Sequence, residues 1–290
     1  EGLSGDVAHL EQMDEIVETL DRSSALQVLF VGNSLIGEGL DADALRRGLT
    51  DELGRPVEVA VVRPDASSPL EWYYLLDRYL FLPDRLPDLL VLPFGPGHLF
   101  DREGREAALR LAAHHVATPT IPELLAEDLP GFEARAQFFV ARASRAFALR
   151  DRVQPRVLDL LIPDYQALAP LILRAPDAAT EGEAGAVPAI GRTRTTEQIE
   201  RLARRADQAS VPVLYLAMPQ GAPWTPDDQV RALIERSWPG LLDFRRALDL
   251  PPERFPDGEH MDTEGRERFT ERLSAEMLPT VRRLSEGSEG

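Results

Sequence analysis

The chain has 290 residues, 43% of them hydrophobic, and carries 49 acidic against 32 basic side chains for a formal net charge of −17. That length can bury a sizeable core, while the charge repels a phosphate backbone and disfavours a polybasic membrane patch, so no nucleic-acid partner is expected. Cysteine and lysine are both absent, which excludes thiol nucleophiles, disulfides, Cys-ligated metals, Schiff-base lysines and the P-loop lysine.

Residues 8–22 place Leu10, Met13, Ile16, Val17 and Leu20 at helical spacing. "ALQVLFV" (25–31) reads as a buried strand, and 41–53 as a helix with Asp41 as N-cap. "VEVAVV" (57–62) is a second strand, and 68–81 a helix with Ser68 capping and Pro69 at its first position. "PDLLVLPF" (87–94) is a third strand, ended by "GPGH". After a gap the alternation resumes, with a helix over 195–209, a strand over 211–219, a helix over 225–238 opened by Thr225 and Pro226, a short strand over 241–245 and a helix over 263–284. Strand–helix alternation with short links predicts an α/β fold: a three-layer, flavodoxin-like sandwich around a parallel sheet of about five strands. Residues 100–194 lack a strand signal and read as a helical insertion after the third strand, a lid or substrate-binding region within a single 1–290 domain. Within it 174–194 has the composition of a flexible loop. The sequence opens "EGLSGD", without Met. A removed leader or anchor fits that start, and a periplasmic or extracytoplasmic setting is expected.

In open parallel sheets, functional groups collect beyond the carboxyl ends of the strands. The first strand ends in Gly32-Asn33-Ser34, and Asn33 is the only asparagine in the chain. Gly-Asn-Ser is also ordinary turn composition. The strained Gly-x-Ser-x-Gly elbow does not fit, because Ile36 stands where its last glycine would. A serine nucleophile needs a base, and the base a group to hold its tautomer. "ERFPDGEHMDTEGRERF" provides both, with Asp257 three residues before His260 ahead of the last helix. His9, His114 and His115 fall on predicted helices with no adjacent nucleophile. A metal reading of Asp257, Glu259, His260 and Asp262 is the rival, since these could be hard ligands. A plain acidic loop is the other.

"FVGNSL" and "FPDGEHMDTEGRERF" resemble the first and last blocks of the GDSL, or SGNH, hydrolases. The resemblance covers both ends of the chain and not residues 100–194. It implies Ser34 as nucleophile, His260 as general base and acid, Asp257 as the residue orienting His260, and Gly32 and Asn33 as supports for the nucleophile turn. It implies no cofactor and no metal. The family's oxyanion hole combines the nucleophile's N–H, a glycine N–H after the second strand and an Asn side chain after the third. Here the second-strand loop offers Asp65 or Ala66 and no glycine, and after the third strand Gly95 fits while Gly97 occupies the Asn position. His98, the Gly97 N–H, a residue from the insertion and, less directly, Gln220 could replace that Asn in the same crevice.

The run "GLDADALRRGL…SPLEWYYLLDRYL" is similar to cell-envelope members that act in O-acylation. Three functions follow as expectations. The first is a serine esterase hydrolysing small, acetyl-like esters, on carbohydrate among other carriers. The second is an O-acyltransferase using the same triad, with a glycan acceptor and a membrane-bound acyltransferase as partner. The third is a degenerate hydrolase fold that binds a glycan or protein without turnover.

Overall fold

The inner strands of a five-stranded sheet alternate their apolar side chains between two separate cores, and that alternation builds the layers. A computed structural model describes residues 13–21, 25–64, 67–148, 150 and 194–287. The strands are β1 (Leu26–Val31), β2 (Val57–Val62), β3 (Leu89–Phe94), β4 (Val213–Ala217) and β5 (Pro239–Asp243). All pair in parallel in the order β2-β1-β3-β4-β5, the flavodoxin-like winding. Val28, Phe30, Leu89, Val91, Leu214 and Leu216 point into one core; Leu29, Val31, Leu90, Leu92, Tyr215 and Ala217 point into the other. Both faces of the central strands are therefore covered, which accounts for their near-continuous apolar runs.

The first core is closed by α3 (Ala42–Leu53) and α11 (Thr263–Gly287), through Leu45, Leu49, Phe269, Leu273, Met277 and Val281. Asp41 caps α3 as its sequence predicts, accepting from Ala44 N at 2.9 Å. The opposite core holds α1 (Met13–Asp21), α4 (Pro69–Leu76) with a π-turn continuing to Phe81, α9 (Glu197–Gln208) and α10 (Asp228–Glu235). Ser68 and Glu71 form a capping box at the start of α4, with Pro69 at its first position.

The elements depart from the sequence reading in several places. Between β1 and α3 lies a six-residue helix, α2 (Ser34–Gly39), too short to show periodicity. α10 starts at Asp228 with Asp227 as N-cap, leaving Thr225 and Pro226 outside it. β5 begins at Pro239, two residues before the expected strand.

The described part of the insertion is helical and contains no strand: α5 (Gly104–Arg110), a π-turn to His115, α6 (Ile121–Glu127), α7 (Phe132–Ala143) and α8 (Arg145–Ala148). Ser144 is extended (φ −134°, ψ 105°) and divides α7 from α8 within the helical insertion. Leu111, Leu124, Leu129, Phe138 and Ala148 join the same core as Leu90, Leu92 and Phe94, so this part packs as body. The excursion returns to its origin. Asp101 accepts from Thr195 Oγ1 at 2.6 Å and Gln198 N at 2.8 Å, 94 and 97 residues on, and so caps α9. Arg201 on α9 then clamps α6 through Glu127 (2.5 Å) and Asp128 (2.6 Å), beneath the faces of Tyr73 and Tyr74. The expected loop, except its last residue Arg194, lies outside the described residues. No described helix is long and apolar enough to cross a membrane.

Candidate active site

The strand registers align Val31 with Val62 and Phe94 with Ala217, so the loops after β1 to β4 open on one edge of the sheet. At that edge Asn33 has extended backbone (φ −127°, ψ −154°) and caps α2, its Oδ1 accepting from Leu35 N at 3.1 Å. Ser34 is thereby the first residue of α2 and half-buried. Its turn is held from below. Ser67 Oγ donates to the Gly32 carbonyl at 2.9 Å and accepts from Trp72 Nε1 at 2.7 Å, both contacts buried. Beside it, Ser68 N and Oγ meet Glu71 Oε2 at 3.0 and 3.2 Å. Glu71 is 1% exposed and paired with Arg110 of α5 at 2.8 Å.

Asp257 and His260 arrive on a loop that organises itself. Asp262 N donates to Arg254 O at 2.8 Å, the Arg254 guanidinium pairs with Asp262 and Glu264, and Phe255 and Met261 anchor both ends in the α3–α11 core. Gly258 adopts φ +83°, a left-handed turn suited to glycine, and its carbonyl accepts from Gly221 N after β4 at 3.0 Å. Asp257 Oδ1 accepts from the backbone N–H of Glu259 (2.9 Å) and His260 (2.7 Å), and its Oδ2 accepts from His260 Nδ1–H at 2.6 Å. With Nδ1 donating, Nε2 carries the lone pair, and it lies 3.0 Å from Ser34 Oγ. The sequence-predicted Ser34, His260 and Asp257 thus form one hydrogen-bonded line.

Backbone and side-chain donation from His260, then the Glu259 N–H, hold the Asp257 carboxyl well below the usual carboxylate range. Burial works to lower His260, and the Asp257 hydrogen bond with the charges of Glu38, Asp257 and Glu259 outweighs it, leaving the imidazole above its ordinary 6.5. The four residues of the rival metal reading do not converge. Asp257 is occupied by His260 and two N–H groups, and Asp262 by Gly265 N and Arg254. Among the described residues no group of three His, Asp or Glu side chains could hold a metal ion.

The oxyanion expectations divide. Asp65 and Ala66 lie outside the described residues. The Gly95 N–H donates to His98 Nδ1 at 3.2 Å, tying the start of the β3 loop to that ring. Gly97 turns with φ +74° and open space where a side chain would stand, so that position has no side-chain donor. The same His98 Nδ1 faces Asn33 Nδ2 at 3.2 Å, and His98 Nε2 lies 3.7 Å from Glu259 Oε1. Asn33 therefore links α2 to the β3 loop as well as capping α2. Gln220 comes closer to the β3 loop than its place after β4 suggests, since a Cβ on Gly95 would fall 2.6 Å from its amide nitrogen. Sequence reading missed Ser67 and Arg110. The Ser68-x-x-Glu71 capping signal is legible and points to that brace, whereas nothing local marks Arg110 as its partner.

His98 sits in this network as a neutral ring. Burial first, then the charges of Arg102 and His260, push it down to about 4. An unfolded chain takes up this proton near 6.5, and the folded one only near 4. The contribution to stability is therefore complete above 6.5 and lost progressively as pH falls to about 4, by roughly 3 kcal/mol. Urea unfolding at about pH 7.5 and pH 4.5 checks it, and His98→Asn should remove that share of the acid sensitivity. Compared with protein-family models and with curated proteins, the chain matches none.

Proposed function

We propose that this protein is a serine esterase of the SGNH type that cleaves small acyl esters through an acyl-enzyme on Ser34. The observation that carries the reading is the line Ser34 Oγ–His260 Nε2–Asp257, at 3.0 and 2.6 Å, made by segments 226 residues apart. A histidine that served only the loop's structure would need no serine hydroxyl on one nitrogen and a carboxylate on the other. The motif resemblance of "FVGNSL" and "DGEHMD" supports the same roles.

In the proposed reaction Ser34 Oγ attacks the acyl carbonyl while its proton passes to His260 Nε2. Asp257 holds the imidazolium that forms. The tetrahedral intermediate collapses to the acyl-enzyme as His260 gives the proton to the leaving alkoxide. Water then repeats the sequence, with His260 again the base, and releases the acid.

Fluorophosphonate treatment tests it, with the adduct located by peptide mass spectrometry. Stoichiometric labelling of Ser34 that vanishes in His260→Ala is the expected result. A folded, unlabelled native chain sinks the reading. The labelling rate should rise with pH, because only neutral His260 accepts the proton, with its midpoint above the ordinary 6.5. Glu38→Gln removes a charge that raises His260 and should move the midpoint down while leaving the plateau alone.

A further inference from the structure

An acyl-transfer site needs more than a nucleophile and base, because negative charge develops on the carbonyl oxygen and donors must already face it. Ser34 N–H, in the first turn of α2, has no acceptor among the described residues and is one such donor. The Gly95 N–H is spent on His98, and Gly97 has no side chain. Beside the Gly97 N–H and the Gln220 amide, His98 is a side-chain donor on the same loop whose neighbours fix which ring nitrogen carries the proton.

Its tautomer follows from its neighbours. Asn33 Oδ1 accepts from Leu35 N, which turns the amide nitrogen of Asn33 toward His98. Gly95 N is a donor under any assignment. Two donors thus converge on His98 Nδ1, each at 3.2 Å, so Nδ1 is the acceptor and the ring proton sits on Nε2. That Nε2–H has no hydrogen-bond acceptor among the described residues; the nearest carboxylate, Glu259, is 3.7 Å away and half-exposed. The ring spans the gap between Asn33, which precedes the nucleophile, and Glu259, which precedes the base. The side chain is only 16% exposed, and burial beside the Arg102 and His260 charges keeps the ring uncharged, so its one proton stays on Nε2 while His260 titrates.

We infer that the Nε2–H of His98 is the second oxyanion donor of this site, hydrogen-bonding the substrate's acyl oxygen as it becomes negative. This rests on the esterase reading above. No covalent change occurs at His98: the bond to the oxygen strengthens as the tetrahedral intermediate forms and relaxes when it collapses. The neutral tautomer also keeps His98 from competing with His260 for the Ser34 proton, since its lone pair is already engaged.

Two substitutions separate the donor from a purely structural role. His98→Asn keeps an acceptor near the Nδ1 position, for Gly95 and Asn33, and deletes the distal donor. His98→Gln keeps a donor near the Nε2 position and gives up the acceptor. Each is to be measured on the full chain for acetyl-ester kcat and KM, for fluorophosphonate labelling and for melting temperature. The inference expects His98→Asn to lose about 100- to 1000-fold in kcat with KM little changed, and His98→Gln to retain most of it. The reverse ranking, equal losses in both, or native-like kcat in both overturns it. If the native protein neither labels nor turns over ester, the esterase reading itself has failed, an outcome distinct from any ranking of the variants.

Discussion

On the esterase reading, replacing Ser34 or His260 with alanine should lower acetyl-ester turnover by about 10⁶-fold, and replacing both should lower it no further, because the two act as one unit. The basis is the single line of hydrogen bonds from Ser34 Oγ through His260 to Asp257. Without Ser34 there is nothing to acylate, and without His260 the hydroxyl stays protonated and the leaving group unprotonated. Asp257→Asn should cost less, about 10⁴-fold, since it frees His260 to take the wrong tautomer without removing it. Steady-state kinetics of the three single variants and the double variant check this ranking. Additive losses in the double variant would mean that serine and histidine serve separate functions.

Arg110→Ala should destabilise the fold by about 3–5 kcal/mol, because it leaves the Glu71 carboxylate buried and uncompensated. Glu71 is 1% exposed, and desolvation already raises its proton affinity, with Arg110 as the main opposing charge. Ser68 donates twice to Glu71 Oε2 and cannot replace a cation. Urea denaturation measures the loss. The double variant Arg110→Met with Glu71→Gln should recover part of it, since neither partner is then a stranded charge. A loss below about 1 kcal/mol for Arg110→Ala would mean that Glu71 is protonated in the native protein. The effect should reach the candidate active site, because Ser67, next to this cap, holds the Gly32 carbonyl.

Much of the fold was legible because the burial of these strands on both faces leaves unbroken apolar runs, and because caps such as Asp41 and Ser68 are local chemistry. Asp257 and His260 were legible for the same reason: their relation spans three residues of one loop. Boundaries failed where sequence cues conflict with packing. Thr225-Pro226 reads as a helix start, yet Asp227 takes the cap. Ser144, in a run without Pro or Gly, turns extended and separates two helices. The oxyanion assignments were the least legible part. Whether the Gly95 N–H is available depends on where the His98 ring turns. That is set by Asn33, 65 residues earlier in the chain. The lone asparagine joins both loops, and only the fold brings them together.

The base loop is stitched locally, but it is useless alone. Gly221 N anchors it to the end of β4, and Met261 and Phe255 seat it against the α3–α11 layer, while Ser34 waits at the end of β1. A chain with any central strand out of place would hold a well-formed Asp–His pair and a well-formed serine turn with no contact between them. Activity of this site should therefore switch on late in folding and off early in denaturation. It can serve as a more sensitive gauge of native sheet order than the helix content that most spectroscopic assays follow.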